Sequence, residues 1–398
     1  MKIKGFRASA VKAGIKYQDR LDLGLIVSDA PALVSGVFTE NEIKAAPVIA
    51  GIKRLKSGSP HVRALVVNSG NANACTGKQG LMHVEEVCAI VSRAMAFKPD
   101  EVLMSSTGVI GQPLPMDIIR EAIPSLVEGL DEEGIIHVAQ AILTTDLVKK
   151  IALKEVRMGG TPVTLLGIAK GSGMIAPKMA PPHATMLAFI LTDASLDPFF
   201  SRNILAGVTK KTFNSITVDG SMSTNDTVYM FSNGQAGNYA VNGGKNGDIF
   251  EEALHEVMLS LAKQIVQDGE GATKFVNVMV KGARTVEEAE IVARTIAELP
   301  LVKTAFFGED PNWGRIMGAA GQAGFSLIEG VINISIDSVP IVRMGEGLGE
   351  KAEADAKICM ANKEFTVTVD LGLGKCEASV YTCDLSCDYV KINADYRT

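Results

Sequence analysis

Short apolar runs alternate along the chain with segments in which apolar residues recur every three or four positions. Residues 63–68, with sequence RALVVN, predict a buried strand because the centre of the run is continuously apolar. Residues 81–97 carry their apolar side chains on one helical face and predict an amphipathic helix. Alternation of these two patterns indicates a mixed α/β protein.

The same patterns predict the other elements. Helices are predicted at 116–130, 134–143, 198–212, 247–268 and 286–298. Strands are predicted at 102–104, 161–169, 185–192, 275–281, 331–336, 365–371 and 377–382. We place a domain boundary near residue 284, which gives a main domain at 1–284 and a C-terminal domain at 285–398.

A loop with the sequence KGSGMIAPKMAPPHA, residues 170–184, separates two of the predicted strands. Its prolines Pro177, Pro181 and Pro182 fit neither a helix interior nor the ladder of a central strand. The pattern therefore predicts a stiffened loop that ends where the apolar strand at 185–192 begins.

The charge of the chain argues against two classes of partner. The formal net charge is -6 and no block of Lys or Arg stands out, which disfavours a nucleic acid or an anionic membrane surface. The N-terminal segment lacks the apolar stretch of a secretion signal, and no apolar run is long enough to span a bilayer. We therefore expect a cytoplasmic protein without a nucleic-acid or membrane partner.

Six cysteines are scattered along the chain, and we expect them to be reduced thiols. Cys383 and Cys387 form the one closely spaced pair. No histidine or second cysteine pair lies near them at the spacing of a zinc site. Small buried residues explain the pair better than a metal, so no metal site is expected.

Several common catalytic arrangements are absent from the sequence. None of the five histidines lies in a recognisable catalytic motif, and there is no GxSxG elbow for a serine hydrolase. A GxxxxGK[ST] phosphate-binding loop is also absent. The segment 345–349, GEGLG, resembles a dinucleotide fingerprint only weakly, because it does not follow a convincing strand.

The catalytic chemistry that these exclusions leave is that of a nucleophile that carries its own base. A threonine at a newly made N-terminus has an α-amino group that can accept the proton of its hydroxyl. The pKa of such an amine is about 8, so a modest shift leaves much of it neutral at cytosolic pH. The Ala184–Thr185 bond fits, because Thr185 lies at a junction between a loop and an apolar strand. Taken alone, Thr185 is better explained as an ordinary strand residue, because Thr before an apolar run is common in strands.

Residues 170–194, KGSGMIAPKMAPPHATMLAFILTDA, resemble the processing segment of the ornithine acetyltransferase (glutamate N-acetyltransferase) family, in which an Ala-Thr bond is cut. The resemblance extends over essentially the whole chain. Further segments that resemble the family lie at 5–16, 68–77, 105–111, 144–146, 218–227, 268–274, 308–316 and 389–398.

One feature departs from the family pattern. The family has its Thr directly after a Met-Ala pair, whereas residues 181–184, PPHA, stand as an addition between Met179-Ala180 and Thr185. The sequence ATML at 184–187 is intact, so Thr185 is retained as the nucleophile. His183 is open to two interpretations, an assistant in cleavage or a loop histidine without a role.

The resemblance implies a layered α-β-β-α sandwich with a smaller C-terminal α/β domain. It also implies self-cleavage between Ala184 and Thr185 into an α chain (1–184) and a β chain (185–398), assembled as α2β2. The implied reaction moves an acetyl group from N2-acetylornithine to Thr185 and then to glutamate, with ping-pong kinetics. No metal or organic cofactor is required, and some members of the family also take acetyl groups from acetyl-CoA.

Residue roles follow from the resemblance position by position. Thr107 and Gly108 match the oxyanion hole, which stabilises the tetrahedral intermediate. The family's substrate contacts match Thr145, Lys170, Thr185, Glu270, Asn393 and Thr398. The doublet Thr144-Thr145 leaves an ambiguity of one residue, and we favour Thr145.

Two other functions remain open on the sequence. An N-terminal-nucleophile amidase or aminopeptidase would share the cut and the hydroxyl but pass the acyl group to water. A non-catalytic amino-acid-binding homologue would keep the fold with an uncut or inert chain. Product analysis separates the first from a transferase, and a denaturing gel identifies the second.

Overall fold

A computed structural model describes residues 1–56, 61–177 and 186–395. The chain divides into two compact units. Unit 1 comprises Met1–Gly171, Pro177–Asn214 and Met222–Ile265. Unit 2 comprises Ser172–Ala176, Ser215–Ser221 and Val266–Thr398. The boundary that the sequence predicts near residue 284 falls within unit 2.

Unit 1 is built on a sheet of eight strands among the described residues. The strands are β1 Phe6–Val11, β2 Leu23–Phe38, β3 His61–Asn68, β4 Val102–Ser106, β5 Lys150–Met158, β6 Thr161–Lys170, β7 Leu187–Thr192 and β8 Thr227–Ser232. They lie in the order β4-β3-β2-β8-β7-β6-β5, and β1 pairs with β2. The parallel pairs are β3 with β4 and β7 with β8, so the sheet is mixed.

The long strand β2 divides this sheet into two halves. Its first half pairs with β3 and its second half with β8, and the register shifts between Val27 and Ala32. Pro31 lies in this interval and cannot donate a ladder hydrogen bond. Leu65 of one half and Phe189 of the other belong to the same buried apolar cluster. The two halves therefore pack face to face over one core.

Helices pack around the sheet of unit 1. They are α1 Ala46–Lys56, α2 Gly77–Met95, α3 Met116–Glu128, α4 Ile135–Ala141, α5 Pro198–Lys211 and α6 Gly244–Gln267. Val87 of α2 and Ile119 of α3 share a buried cluster with Val66 of β3. On the other face α6 packs so closely on Gly167 of β6 that a Cβ there would lie 2.7 Å from Leu261. The layers run α-β-β-α, and the predicted fold class is confirmed.

Unit 2 contains a second mixed sheet, with strand order β12-β11-β10-β13-β9-β14. Its strands are β9 Phe275–Ala283, β10 Asn333–Ile336, β11 Val339–Arg343, β12 Glu346–Gly347, β13 Glu364–Asp370 and β14 Cys376–Cys383. Its helices are α7 Val286–Glu298, α8 Pro300–Phe307, α9 Trp313–Gly321, α10 Glu350–Met360 and α11 Cys387–Ala394.

The helices of unit 2 pack their apolar residues on this sheet. The central strands β9 and β13 are parallel, and their alternate residues Val278 and Val367 are fully buried. Helix α7 contributes Val292 to the same cluster. Its N-terminus is fixed by Thr285, whose hydroxyl accepts a hydrogen bond from the Glu288 N–H at 3.0 Å. In the part of the chain that the structure describes, no helix is long and apolar enough to cross a membrane.

Candidate active site

Several strands of unit 1 end or begin close together. The last residue of β6, Lys170, is paired with the first residue of β7, Leu187. Asn225, just before β8, donates from its amide to the backbone carbonyls of Ala72 and Ser106, at 2.5 and 2.8 Å. These bonds link the start of β8 to the end of β4. Thr107 and Gly108 follow β4 directly, so Lys170, Thr107 and Gly108 all lie at strand ends.

Lys170 is the centre of a polar cluster at this position. Only 8% of its surface is exposed. Its Nζ donates to Thr144 Oγ1 at 2.9 Å and to Thr107 Oγ1 at 3.3 Å, and it lies 3.9 Å from Asp146 Oδ2. The structure thus brings two of the predicted residues, Lys170 and Thr107, into direct contact.

Asp146 balances the charge of this cluster. Its fully buried carboxylate accepts hydrogen bonds from Lys150 Nζ at 2.6 Å, the Gly171 N–H at 2.7 Å and the Thr144 N–H at 3.0 Å. Burial alone would raise the pKa of Asp146, but the ammonium groups of Lys170 and Lys150 outweigh it and hold the pKa at about 2. Asp146 therefore remains a carboxylate at neutral pH and holds Lys170 in place.

The turn after β4 directs the hydroxyl of Thr107, and not its N–H, towards Lys170. The Thr107 N–H donates to the Asn68 carbonyl at 3.0 Å, so the Thr107 hydroxyl is the group directed towards Lys170. Gly108 has a φ of +133°, in the region that favours glycine. A Cβ at this position would lie 2.3 Å from the carbonyl carbon of Gly70 and 2.5 Å from the Asn71 nitrogen. Only glycine fits there without displacing the backbone of residues 70–71.

The Thr144-Thr145 doublet has one member in the cluster. Thr144 bonds to Lys170 through its hydroxyl and to Asp146 through its N–H. Thr145 is half-buried and makes no such contact with the described residues of the cluster. The assignment of Thr145 to a substrate stays a prediction, while the structure gives Thr144 a role in holding Lys170.

Glu270 and Asn393 form a second polar cluster, in unit 2. Glu270 is 7% exposed, and its carboxylate accepts a hydrogen bond from the Asn393 amide at 2.7 Å. A Cβ on Gly173 would lie 2.2 Å from that carboxylate, so the glycine leaves room for it. No described Lys or Arg forms a salt bridge with Glu270. Its buried carboxyl group is therefore suited to a cationic ligand.

Asp219 fixes the segment beside Glu270. Its carboxylate accepts hydrogen bonds from the N–H groups of Met174 at 2.6 Å and Ile175 at 3.0 Å. Met174 has a φ of +55°, which is uncommon for a residue with a side chain and is held by these bonds. The Tyr389 hydroxyl donates to the same carboxylate at 3.4 Å, and burial, with the Asp219 charge, raises the pKa of Tyr389.

Sequence reasoning did not find four polar residues that shape these clusters: Asp146, Lys150, Asp219 and Asn225. Asp146 and Asp219 lie inside segments that resemble the family, but the sequence gives no sign of what they contact. Lys150 ends a run of exposed positions and looks like a solvated lysine, although its side chain is fully buried.

Some predicted residues lie outside the described residues. They are the cleavage pair Ala184 and Thr185, the addition that includes His183, and the substrate contact Thr398. Within the described residues, no cluster of three or more His, Cys, Asp or Glu could hold a metal ion.

Comparisons with known proteins agree with one another. A family model described as the ArgJ family matches residues 7–398. The arginine biosynthesis bifunctional protein ArgJ of Geobacter sulfurreducens is 52% identical over 399 residues, the whole of both chains. The protein of that name from Desulfotalea psychrophila is 49% identical over the same extent. The solved structure of argJ from Bacillus halodurans is 39% identical with a TM-score of 0.51, and covers 53% of this chain and 99% of its own.

Proposed function

The chain belongs to the ArgJ family, and we propose that it moves an acetyl group from N2-acetylornithine to glutamate through Thr185. Relatives about half identical over its whole length are named for arginine biosynthesis, so it is an acetyltransferase of that pathway. The observation that carries the residue assignments is the buried ammonium group of Lys170, which binds Thr107 and Thr144 beside the start of β7.

The first half-reaction makes an acetyl-enzyme. The hydroxyl of Thr185 attacks the acetyl carbonyl, and its proton passes to the α-amino group of the same residue as the Oγ–C bond forms. The Thr107 hydroxyl and the Gly108 N–H stabilise the oxyanion. The C–N bond then breaks, the ammonium group returns the proton to the leaving nitrogen, and ornithine departs. Glutamate attacks the acetyl-threonine by the reverse sequence.

The electrostatics of the Lys170 cluster support this assignment. An ammonium group that donates to Thr107 Oγ1 polarises the hydroxyl, which improves it as a donor to a developing oxyanion. Because the cluster is buried, this effect is screened less than at a surface. Lys170 itself carries the charge that suits the carboxylate of an amino-acid substrate.

We propose that Glu270 binds the ammonium group of ornithine and that Asn393 orients it. The basis is the buried carboxylate, its bond from the Asn393 amide and the room left by Gly173. Thr145 and Thr398 complete the proposed substrate contacts on family resemblance alone.

Family resemblance is also the basis for the remaining assignments. We propose that the cut chains assemble as α2β2 in the cytoplasm, that no metal or organic cofactor takes part, and that acetyl-CoA serves as a second acetyl donor. Membership of the family favours acetyl transfer over the amidase and the non-catalytic binding protein.

Substituting Gly108 by alanine is expected to slow acetyl transfer by about 10²–10³-fold, the usual cost of losing one oxyanion donor. The added Cβ would displace the backbone of residues 70–71 and the Gly108 N–H with it. Gly111→Ala is the matched control, because Gly111 also has a positive φ, +83°, but no atom within 4 Å of its Cβ position. Equal kcat values for the two variants would contradict the role of Gly108.

Intact mass spectrometry tests the function directly. The purified protein is expected to give two chains that meet at the Ala184–Thr185 bond. Incubation with N-acetylornithine alone should add one acetyl group to the chain that begins with Thr185. Addition of glutamate should remove that group and release N-acetylglutamate. An active preparation with an unbroken chain, or loss of the acetyl group to water at the same rate without glutamate, would contradict the proposal.

A further inference from the structure

Helix α11 carries Asn393 to Glu270 but has little apolar packing of its own. It is 8 residues long, and none of these residues is buried. Its apolar residues Val390 and Ile392 are 65% and 36% exposed. A helix this short is marginal in water unless other contacts hold it. Polar bonds to neighbouring segments of unit 2 therefore fix the position of α11.

The start of α11 is attached to the residue that follows Glu270. Ser386 Oγ donates to the Gly271 carbonyl at 2.6 Å and accepts a hydrogen bond from the Asp388 N–H at 3.2 Å. One hydroxyl thus caps the helix and ties it to Gly271. Gly271 has a φ of +68°, and a Cβ there would lie 2.5 Å from the Tyr389 nitrogen. The first turn of α11 consequently packs directly on the backbone beside Glu270.

The side chain of Tyr389 makes the next attachment, to Asp219. Its hydroxyl donates to Asp219 Oδ2 at 3.4 Å. Burial raises the pKa of Tyr389, with further contributions from the charges of Asp219 and Glu270, so the phenol keeps its proton and remains a donor. The carboxyl oxygens of Asp219 also accept hydrogen bonds at 2.6, 3.0 and 3.0 Å from the N–H groups of Met174, Ile175 and Ser221. These bonds occupy Asp219 and leave it unsuited to bind a substrate.

The last turn of α11 orients the amide of Asn393. Its Nδ2 donates to Glu270 Oε2 at 2.7 Å and to the Tyr389 carbonyl at 3.0 Å. Both neighbours are acceptors, so the nitrogen of the amide, and not its oxygen, must face them. Among the described residues Asn393 is the one side-chain donor to Glu270, and it leaves Glu270 Oε1 for a ligand. Tyr389 therefore contacts Asn393 through its carbonyl and Asp219 through its hydroxyl.

We propose that Tyr389 and Asp219 are positioning residues for the ammonium-binding subsite of Glu270 and Asn393. The bond between them holds α11 where Asn393 binds one oxygen of Glu270 and leaves the other for the terminal ammonium group of ornithine. The inference rests on the proposed function, which assigns that ammonium group to Glu270. Tyr389 and Asp219 do not touch the substrate in this scheme. Their loss should weaken recognition of the ammonium group and leave the acetyl-transfer step intact.

The test compares two acetyl donors that differ only in the terminal ammonium group. N2-acetylornithine has this group, and N2-acetylnorvaline has the same carbon chain without it. The rate at which each donor acetylates the enzyme is followed by mass spectrometry in the absence of glutamate. It gives the half-saturating concentration and the maximal rate of the first half-reaction. Where N2-acetylnorvaline reacts too slowly, its inhibition constant against N2-acetylornithine replaces the half-saturating concentration.

Tyr389→Phe removes only the hydroxyl. It should raise the half-saturating concentration of N2-acetylornithine by about 5–10-fold, the usual contribution of one hydrogen bond, and leave the maximal rate within about 2-fold. The value for N2-acetylnorvaline should not change, so the selectivity between the two donors falls by the same factor. Tyr239→Phe is the matched control, because the side chain of Tyr239 is 98% exposed.

Asp219→Asn should change the selectivity in the same direction as Tyr389→Phe. The double variant should be no less selective than Asp219→Asn alone, because the two residues act through one bond. Additive effects of the two substitutions would contradict a shared role.

Two further results would overturn the inference. Unchanged selectivity in Tyr389→Phe would remove any role for the hydroxyl. An equal loss with both donors, or a fall in the maximal rate alone, would mean that Tyr389 only stabilises the fold. Glu270→Gln, measured in parallel, tests the proposed function. Unchanged selectivity in that variant would overturn the ammonium-binding subsite itself, whereas selectivity lost in Glu270→Gln but kept in Tyr389→Phe would overturn the positioning role alone.

Discussion

Thr185→Ala is expected to yield an unbroken chain without measurable acetyl transfer. In the proposed mechanism cleavage and transfer both use the Thr185 hydroxyl, so one substitution should abolish both. In other enzymes that act through a covalent nucleophile, loss of that nucleophile lowers kcat by about 10⁴–10⁶-fold. No other substitution in this chain is expected to have so large an effect. A denaturing gel and an assay for N-acetylglutamate measure the two losses on the same sample.

Thr185→Ser is the matched control, because serine keeps the hydroxyl and, once cut, the α-amine. It should still be cleaved and should retain transfer activity, with lower rates because serine lacks the β-methyl group that limits rotation at χ1. A Thr185→Ala protein that is cut, or that makes N-acetylglutamate at the natural rate, would rule out Thr185. Thr107→Ala should behave differently, since it removes only a proposed oxyanion donor.

The elements around Lys170 could be predicted because local patterns and tertiary structure agree there. The run at 161–169 has the apolar content of a buried strand, and glycines and prolines follow it. The observed strand β6 ends one residue later, at Lys170. Resemblance added Thr107 and Gly108, and the close approach of residues 70–71 to Gly108 gives the glycine a physical reason.

Strands β2 and β8 were missed because their sequences contain competing signals. The middle of β2 reads Ser28-Asp29-Ala30-Pro31, which is typical of a turn. Pairing with β3 on one side of this interval and with β8 on the other keeps the segment extended. The apolar run of β8 is short and follows polar residues, so no periodicity marks it. Long-range pairing, which a local pattern does not contain, decides both cases.

The charged cluster of Asp146, Lys150 and Lys170 also could not be predicted from the sequence. Asp146 and Lys150 lie close in sequence, but Lys170 belongs to another strand, and only the antiparallel pairing of β5 and β6 brings them together. Lys150 is the register partner of Ala169, next to Lys170. Charged residues are usually solvated, so burial of three in one cluster could not be expected from their identities.

The largest stability effect is expected at Asp146. Asp146→Asn keeps the size of the side chain but removes the buried negative charge that lies 2.6 Å from Lys150 Nζ and 3.9 Å from Lys170 Nζ. Removing one partner of a buried ion pair costs about 3–5 kcal/mol, so the free energy of unfolding should fall by that order. Urea denaturation measures it, with Asp117→Asn as the exposed control.

A double substitution and a pH series complete the test. Asp146→Asn/Lys150→Met removes one charge of each sign, so it should be more stable than Asp146→Asn alone. The folded pKa of Asp146, about 2, lies below its unfolded value of about 4. Its contribution to stability is therefore complete above about pH 4 and is lost as the pH falls towards about 2. Asp146→Asn should flatten that part of the stability profile, and an unchanged profile would mean that the carboxylate is not paired in the folded protein.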